Sequence, residues 1–120
     1  MADIFKNFTG ILTDTSNVTI FTVPVADVAN NIPVTTYVAK TFYTVHEAVT
    51  NPKTLVHAYH YDASANVTIG FQAEIDAGES INLFQNGIYV FEAGDQLILN
   101  ANIANNINWS VSLLEIKQQQ

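Results

Sequence analysis

The sequence predicts an all-β domain, a two-sheet antiparallel β-sandwich of jelly-roll type with eight or nine short strands. Three observations point there. From Gln96 to Ile103, apolar Leu97, Leu99, Ala101 and Ile103 alternate with Gln96, Ile98, Asn100 and Asn102, the period of two that marks a half-buried strand. Turn-forming residues recur roughly every eight to twelve positions, and no sustained helical period interrupts them. Finally, 120 residues of which 48% are apolar suffice for one core, but not for two, without disulfide staples.

Each element follows from local chemistry. Residues 1–7 read as a loose N-terminal arm or the approach to a first strand over Phe8–Leu12, closed by the turn formers Thr13 to Asn17. Val18 to Val23 alternates and stops at Pro24, which cannot donate to a ladder. Val25 to Pro33 is the least regular stretch and leaves one helical turn or an exposed loop open. Thr35 to Val45 is β-rich and apolar on both faces, as expected of a central strand or of one whose outer face meets a partner. His46 to Lys53 breaks it, with Asn51-Pro52 as a turn. Leu55 to Tyr61 places Leu55, His57, Tyr59 and Tyr61 on one face; Asp62 to Ala65 turns, and Asn66 to Ile75 returns.

After the turn Asp76 to Glu79, Ser80 to Phe84 leads to the tight-turn dipeptide Asn86-Gly87. Ile88 to Phe91 and Gln96 to Ile103 then read as a hairpin across Glu92–Asp95. Ala104 to Asn106 turns again, and Ile107 to Ile116 closes the domain, with Ile107, Trp109, Val111 and Leu113 on one face and Asn108, Ser110, Ser112 and Leu114 on the other. The organisation is an arm over 1–7, one sandwich domain over 8–117 and a frayed end over 118–120.

Composition narrows the function. Charged residues are only 12%, about half the usual share, and Asn, Thr, Gln and Ser replace them. A neutral polar surface is desolvated against a neighbour at less cost than a charged one, which favours assembly. The net charge is −7, with four scattered lysines and no arginine, so neither nucleic acid nor an anionic membrane surface is an expected partner. No apolar run approaches a membrane span, and Met1 to Lys6 lacks the basic-then-apolar order of a secretory signal. Without cysteine there is no disulfide framework, thiolate zinc site or cysteine nucleophile. The N-x-[ST] matches at Asn7, Asn17, Asn66 and Asn108 are read as chance in an Asn- and Thr-rich chain.

His57, His60 and Asp62, with His46 upstream, have metal-ligand character, but the odd spacing of His57 and His60 puts them on opposite faces of a strand. Glu74, Asp76, Glu79, Glu92 and Asp95 sit at turns, where carboxylates bond nearby backbone N–H groups more often than they form a catalytic pair. Neither acidic turn has the ligand spacing of a calcium loop. No serine lies in a G-x-S-x-G elbow and no glycine-rich phosphate loop exists. No catalytic residues, metal or cofactor are expected, and the chain is not read as an enzyme. The Tyr/His row of Leu55–Tyr61 suits either a sugar-stacking face or contact area for another subunit.

The chain also resembles a family of small, cysteine-free virion proteins of tailed phages, especially cyanobacterial and marine ones. The opening K-N-x-x-x-x-L-T-x-T-x-x-x-T-[IL]-[FY]-T-x-P segment is matched by Lys6-Asn7, Leu12-Thr13, Thr15, Thr19 to Thr22 and Pro24. A D-x-S-A motif is matched by Asp62 to Ala65, and an L-x-x-G-x-x-V-x-E-A-G-D-x-L segment by Gly87, Val90, Glu92 to Asp95 and Leu97, with Leu83 one residue earlier than the motif places its leucine. The closing V-S-x-L-E-I strand is matched by Val111 to Ile116. Val25–Pro33 and His46–Lys53 depart from the pattern.

The resemblance implies a β-sandwich capsid decoration (cement) protein, a homo-oligomer with a trimer favoured. It would bind across junctions of the major capsid protein on the outer surface of the head. The alternatives are a neck, tail-fibre or baseplate component, or a lectin-like module reading host glycan. Contacts are expected from the arm (Ile4, Phe5, Phe8), the Val25–Pro33 loop (Val25, Val28, Ile32) and one sheet face (Tyr59, Tyr61).

Overall fold

The structure, a computed structural model, describes residues 2–47, 53–85 and 87–118. The expected turn at Asn51-Pro52, Asn86 of the expected Asn86-Gly87 turn, and the last two residues of the expected frayed end lie outside the described residues.

Nine strands form two antiparallel sheets. They are β1 (Ala2–Ile11), β2 (Val18–Thr22), β3 (Val34–His46), β4 (Thr54–Asp62), β5 (Val67–Ile75), β6 (Ser80–Asn82), β7 (Tyr89–Phe91), β8 (Gln96–Ala101) and β9 (Ile107–Gln118). The five-stranded sheet has the order β1-β9-β3-β6, with β7 also on β3, and the four-stranded sheet has the order β2-β8-β4-β5. β6 pairs with Tyr43–Val45 and β7 with Tyr37–Ala39, along the same edge of β3. They are one strand, interrupted where the chain dips to bury Leu83 and Phe84. The Asn82 carboxamide oxygen accepts from the N–H groups of Phe42 (3.0 Å) and Phe84 (3.1 Å), and so replaces ladder bonds lost at the break. Counting β6 and β7 as one leaves eight strands in the orders 1-8-3-6 and 2-7-4-5, the double Greek key of a jelly roll.

The inner faces interdigitate as alternation requires. Leu97, Leu99 and Ala101 from β8, Val56 and Ala58 from β4, and Val111 and Leu113 from β9 are all buried. A bulge between Ala39 and Thr41 shifts the register of β3. Thr35, Tyr37 and Ala39 point inward before it and Phe42, Thr44 and His46 after it, with Lys40 exposed at the bulge. A second bulge in β2 turns Ile20 and Phe21 both into the core, where Phe21 meets Phe91 edge-on at 5.0 Å. Gly10 pairs with Trp109, and a Cβ there would lie 2.5 Å from the indole, so only glycine lets that ring lie against β1.

Two expectations are corrected. Residues 2–7 are not an arm: β1 runs from Ala2 to Ile11 and pairs with β9 throughout, from Ala2↔Lys117 to Ile11↔Asn108. The pairing is reinforced by Lys6 on Glu115 at 2.8 Å and by the Ser110 and Ser112 hydroxyls donating to the Asn7 side chain. Likewise Gln118 ends β9 rather than belonging to a frayed tail. Second, β7 and β8 are not a hairpin. β7 lies in the five-stranded sheet and β8 in the four-stranded one, so Glu92–Asp95 is a corner between sheets. Gly94, at φ +84°, donates to the Val23 carbonyl, and Val23 donates to the Asp95 carbonyl, which fastens the corner to the end of β2. The alternation of β8 encodes which residues are buried, and either partner strand satisfies it.

Candidate interaction surfaces

The Val25–Pro33 loop is built around Asp27. Its carboxylate accepts from Ala29 N–H (3.1 Å) and from the Asn30 side-chain amide (2.6 Å), capping a 3₁₀ turn over Val28–Asn30. Asn31 adopts the left-handed conformation that ends the turn, and Asp27 and Ile32 exchange two backbone hydrogen bonds of 2.9 Å at the loop neck. The result is a closed tip that presents Val28 to solvent at 71% exposure, with Val25, 64% exposed, just before its neck.

The outer face of the five-stranded sheet carries a second apolar feature. Phe5 of β1 stands opposite Leu114 of β9, Leu114 opposite Val38 of β3, and Val38 opposite Val90 of β7. Cross-strand neighbours on one face touch, so these four side chains make a row across four strands, about 15 Å long at ordinary strand spacing. Phe5 is 87% exposed, an unusual state for a phenylalanine. Beside the row runs a groove of about 550 Å³ between Phe5, Asn7, Val38, Lys40, Ser112 and Leu114. Asp3 of β1 and Lys40 at the β3 bulge are exposed on this face and have opposite sign. Lys6 and Lys117 point the opposite way, and each bonds Glu115.

That inward cluster has its own electrostatics. Glu115 is almost fully buried, and burial by itself would raise its carboxyl. The hydrogen bond and charge of Lys6, with Lys117 at 3.4 Å, outweigh that and hold it below the usual glutamate range. The hydrogen bond that Lys6 donates to Glu115 in turn raises the Lys6 ammonium.

The outer face of the four-stranded sheet is polar and aromatic. His57 and Gln72 are hydrogen-bonded at 2.9 Å, and the Tyr61 hydroxyl donates to Asn66 at 2.9 Å. A shallow depression of about 250 Å³ lies between His57, Tyr59, Gly70, Phe71 and Gln72. His57 faces outward here, whereas His60 points inward to Asp95 at 3.0 Å, so the two do not converge. Among the described residues no group of three or more His, Cys, Asp or Glu side chains is placed to hold a metal ion. Asp95 also accepts from Glu92 N–H (3.0 Å) and Ala63 N–H (3.1 Å), the turn-stabilising role its position suggested.

The eight residues expected at an interface therefore fall in separate places. Val28 lies in the loop tip, Ile32 in its neck and Val25 just before it; Phe5 lies on the outer face of the five-stranded sheet; Tyr59 and Tyr61 lie on the outer face of the other. Phe8 is turned inward, with its ring 5.6 Å from Phe21 and 6.5 Å from Tyr37. Ile4 points the same way as Phe8 and is 43% exposed. Sequence reasoning passed over Val38, Val90 and Leu114. The apolar outer face of Thr35–Val45 and a lone leucine among Asn108, Ser110 and Ser112 were the signals available.

No protein-family model matches the chain, and no curated protein matches it. Solved structures resemble it in fold. The Drosophila NLP-core, reported in connection with pentamer formation and histone binding, is 14% identical, with a TM-score of 0.51 over 99% of this chain and 100% of that one. The globular domain of zebrafish complement 1qA protein is also 14% identical, with a TM-score of 0.43 over 95% and 98% of the two chains. A virus-like particle of extra small virus from the giant freshwater prawn Macrobrachium rosenbergii contains a chain 10% identical, with a TM-score of 0.37 over 100% of this chain and 82% of that one.

Proposed function

We propose that this chain is a structural protein of a phage virion, most concretely a decoration protein that seats on the outside of the head across junctions of the major capsid protein. The observation that carries the reading is the loop tip: a segment capped by Asp27 and closed at its neck, holding Val28 out in solvent with Val25 just before the neck. Ordering a loop costs backbone entropy, and that cost is already met before any partner arrives. The phage-protein resemblance over Lys6–Pro24, Asp62–Ala65 and Leu83–Ile116 supports the same reading. The mechanism is additive burial without catalysis: each copy covers a subunit edge, and binding to the assembled state alone stabilises it. Gold-labelled antibody against this protein should decorate the heads of intact virions, and Val28→Glu should lower the number of copies per head. Label confined to the neck or tail would replace decoration with a neck, tail-fibre or baseplate role.

A second reading is supported by the depression between His57, Tyr59, Gly70 and Gln72. A tyrosine ring beside amide and imidazole groups suits the apolar face and the hydroxyls of a neutral sugar. Under this reading the chain reads host-surface glycan, and a glycan array returns hits that Tyr59→Ala abolishes.

A further inference from the structure

From the edge of the four-stranded sheet we infer a strand-addition site: β5 takes an extended segment of a partner protein as a fifth strand. This surface is separate from the loop tip, and the inference stands whether or not the chain sits on a capsid. A sheet edge is a row of backbone N–H and C=O groups that templates another strand, so folded proteins guard it with very short strands, bulges or an inward-pointing charge. Three of the four sheet edges here are guarded in these ways. β2 is five residues long and bulged between Thr19 and Phe21. The β6–β7 edge is broken into two pieces of three residues each. β1 turns Lys6 inward onto Glu115.

β5 has none of these guards. It runs nine residues, Val67–Ile75, without proline, and its register on β4 is unbroken from Asp62↔Val67 to Thr54↔Ile75. Among the described residues it pairs with β4 alone. Its inward side chains are uncovered at one end: Val67 and Ile69 are 47% and 52% exposed, although they lie on the face that buries Ile75. A strand with apolar residues at alternate positions extends that face and covers both. On the other face Gly70 has no side chain, and the Tyr59 ring leans over it, 3.5 Å from where a Cβ would stand. The ring therefore borders the edge, where a side chain of the added strand packs on it. Alternate side chains meet different surroundings, while backbone hydrogen bonds supply affinity.

Charge narrows the occupant. The carboxylates of the β4–β5 pair are Asp62 at one end and Glu74 near the other, and neither strand holds lysine or arginine. A second copy's β5 brings another Glu74 and no base. A segment with a lysine at each end of an alternating apolar stretch meets both acids.

The probe is a labelled peptide of alternating valine and threonine with a lysine at each end, titrated with the full-length protein by fluorescence anisotropy. Binding should saturate, and amide hydrogen exchange should slow at alternate residues of Val67–Ile75 and not in β1. Ile69→Lys gives β5 the inward charge that guards β1, at a position already exposed. It should weaken binding at least about tenfold, with the circular dichroism of the fold retained. If Ile69→Lys does not fold, Val67→Lys decides. Methylating the peptide's backbone nitrogens should abolish binding, whereas adhesion through side chains alone would survive it. No saturable binding overturns the inference, as does binding that survives the lysine or the methylation. Self-association that sedimentation equilibrium detects and Ile69→Lys abolishes would also overturn it, by putting a second copy on this edge.

Discussion

Asp95 shows how much one buried carboxylate can organise. It sits at the corner between the sheets, almost without solvent contact, and receives two backbone N–H groups and the His60 ring. Replacing it by alanine removes the acceptor of all three donors at a partly buried corner, so Asp95→Ala should cost about 2 kcal/mol, read as a lowered urea midpoint. Glu115 makes a pH-dependent contribution of opposite visibility, hidden inside the sheet but tied to two lysines. Its folded carboxyl is held below its ordinary range, so its stabilisation is fully present above that range and is lost as pH falls through the folded value. Glu115→Gln should therefore be less stable than wild type by about 2 kcal/mol at neutral pH. The gap should close as unfolding is measured at progressively more acidic pH, and a gap independent of pH would mean the cluster contributes only packing.

At the scale of elements, β1 changes what a truncation means. Its first five residues pair with Leu113–Lys117, and Lys6 anchors there on Glu115. Removing residues 1–7 takes away both the ladder edge and the partner of a buried carboxylate, which is expensive. The expected outcome is a marked fall in melting temperature, not a folded protein that merely binds less well, and an unchanged melting temperature would return these residues to the status of an arm. The sequence concealed this strand because Ala2 to Asn7 mixes charge, amide and apolar residues without alternation. Where alternation was clean, as in β8 and β9, inward and outward residues were legible to the position. In β2 and β3 it was not, because bulges at Ile20 and Lys40 change parity mid-strand and a strict period of two has no symbol for them.

For the whole molecule, the division of charge is the informative feature. Acidic residues concentrate in the turns while both broad outer faces stay nearly neutral, one apolar and one hydrogen-bonded within itself. Of the candidate surfaces, the loop was marked in the sequence by its irregularity and its exposed-type valines. The apolar row was not marked, because Phe5, Val38, Val90 and Leu114 are 24 or more residues apart in the chain except as neighbours across strands.

The sequence by itself determined the class: all-β, one sandwich core, period-two strands bounded by turns, and a net charge of −7. Local propensity and alternation suffice for those, since each is written within ten residues or so. Only the tertiary structure decided which strands pair, that β7 and β8 part into different sheets, and that β1 begins at Ala2. Strand pairing joins residues about a hundred positions apart, such as Phe5 and Leu114. No local pattern encodes a partner at that distance, because the same alternation is satisfied by any strand that buries the same face.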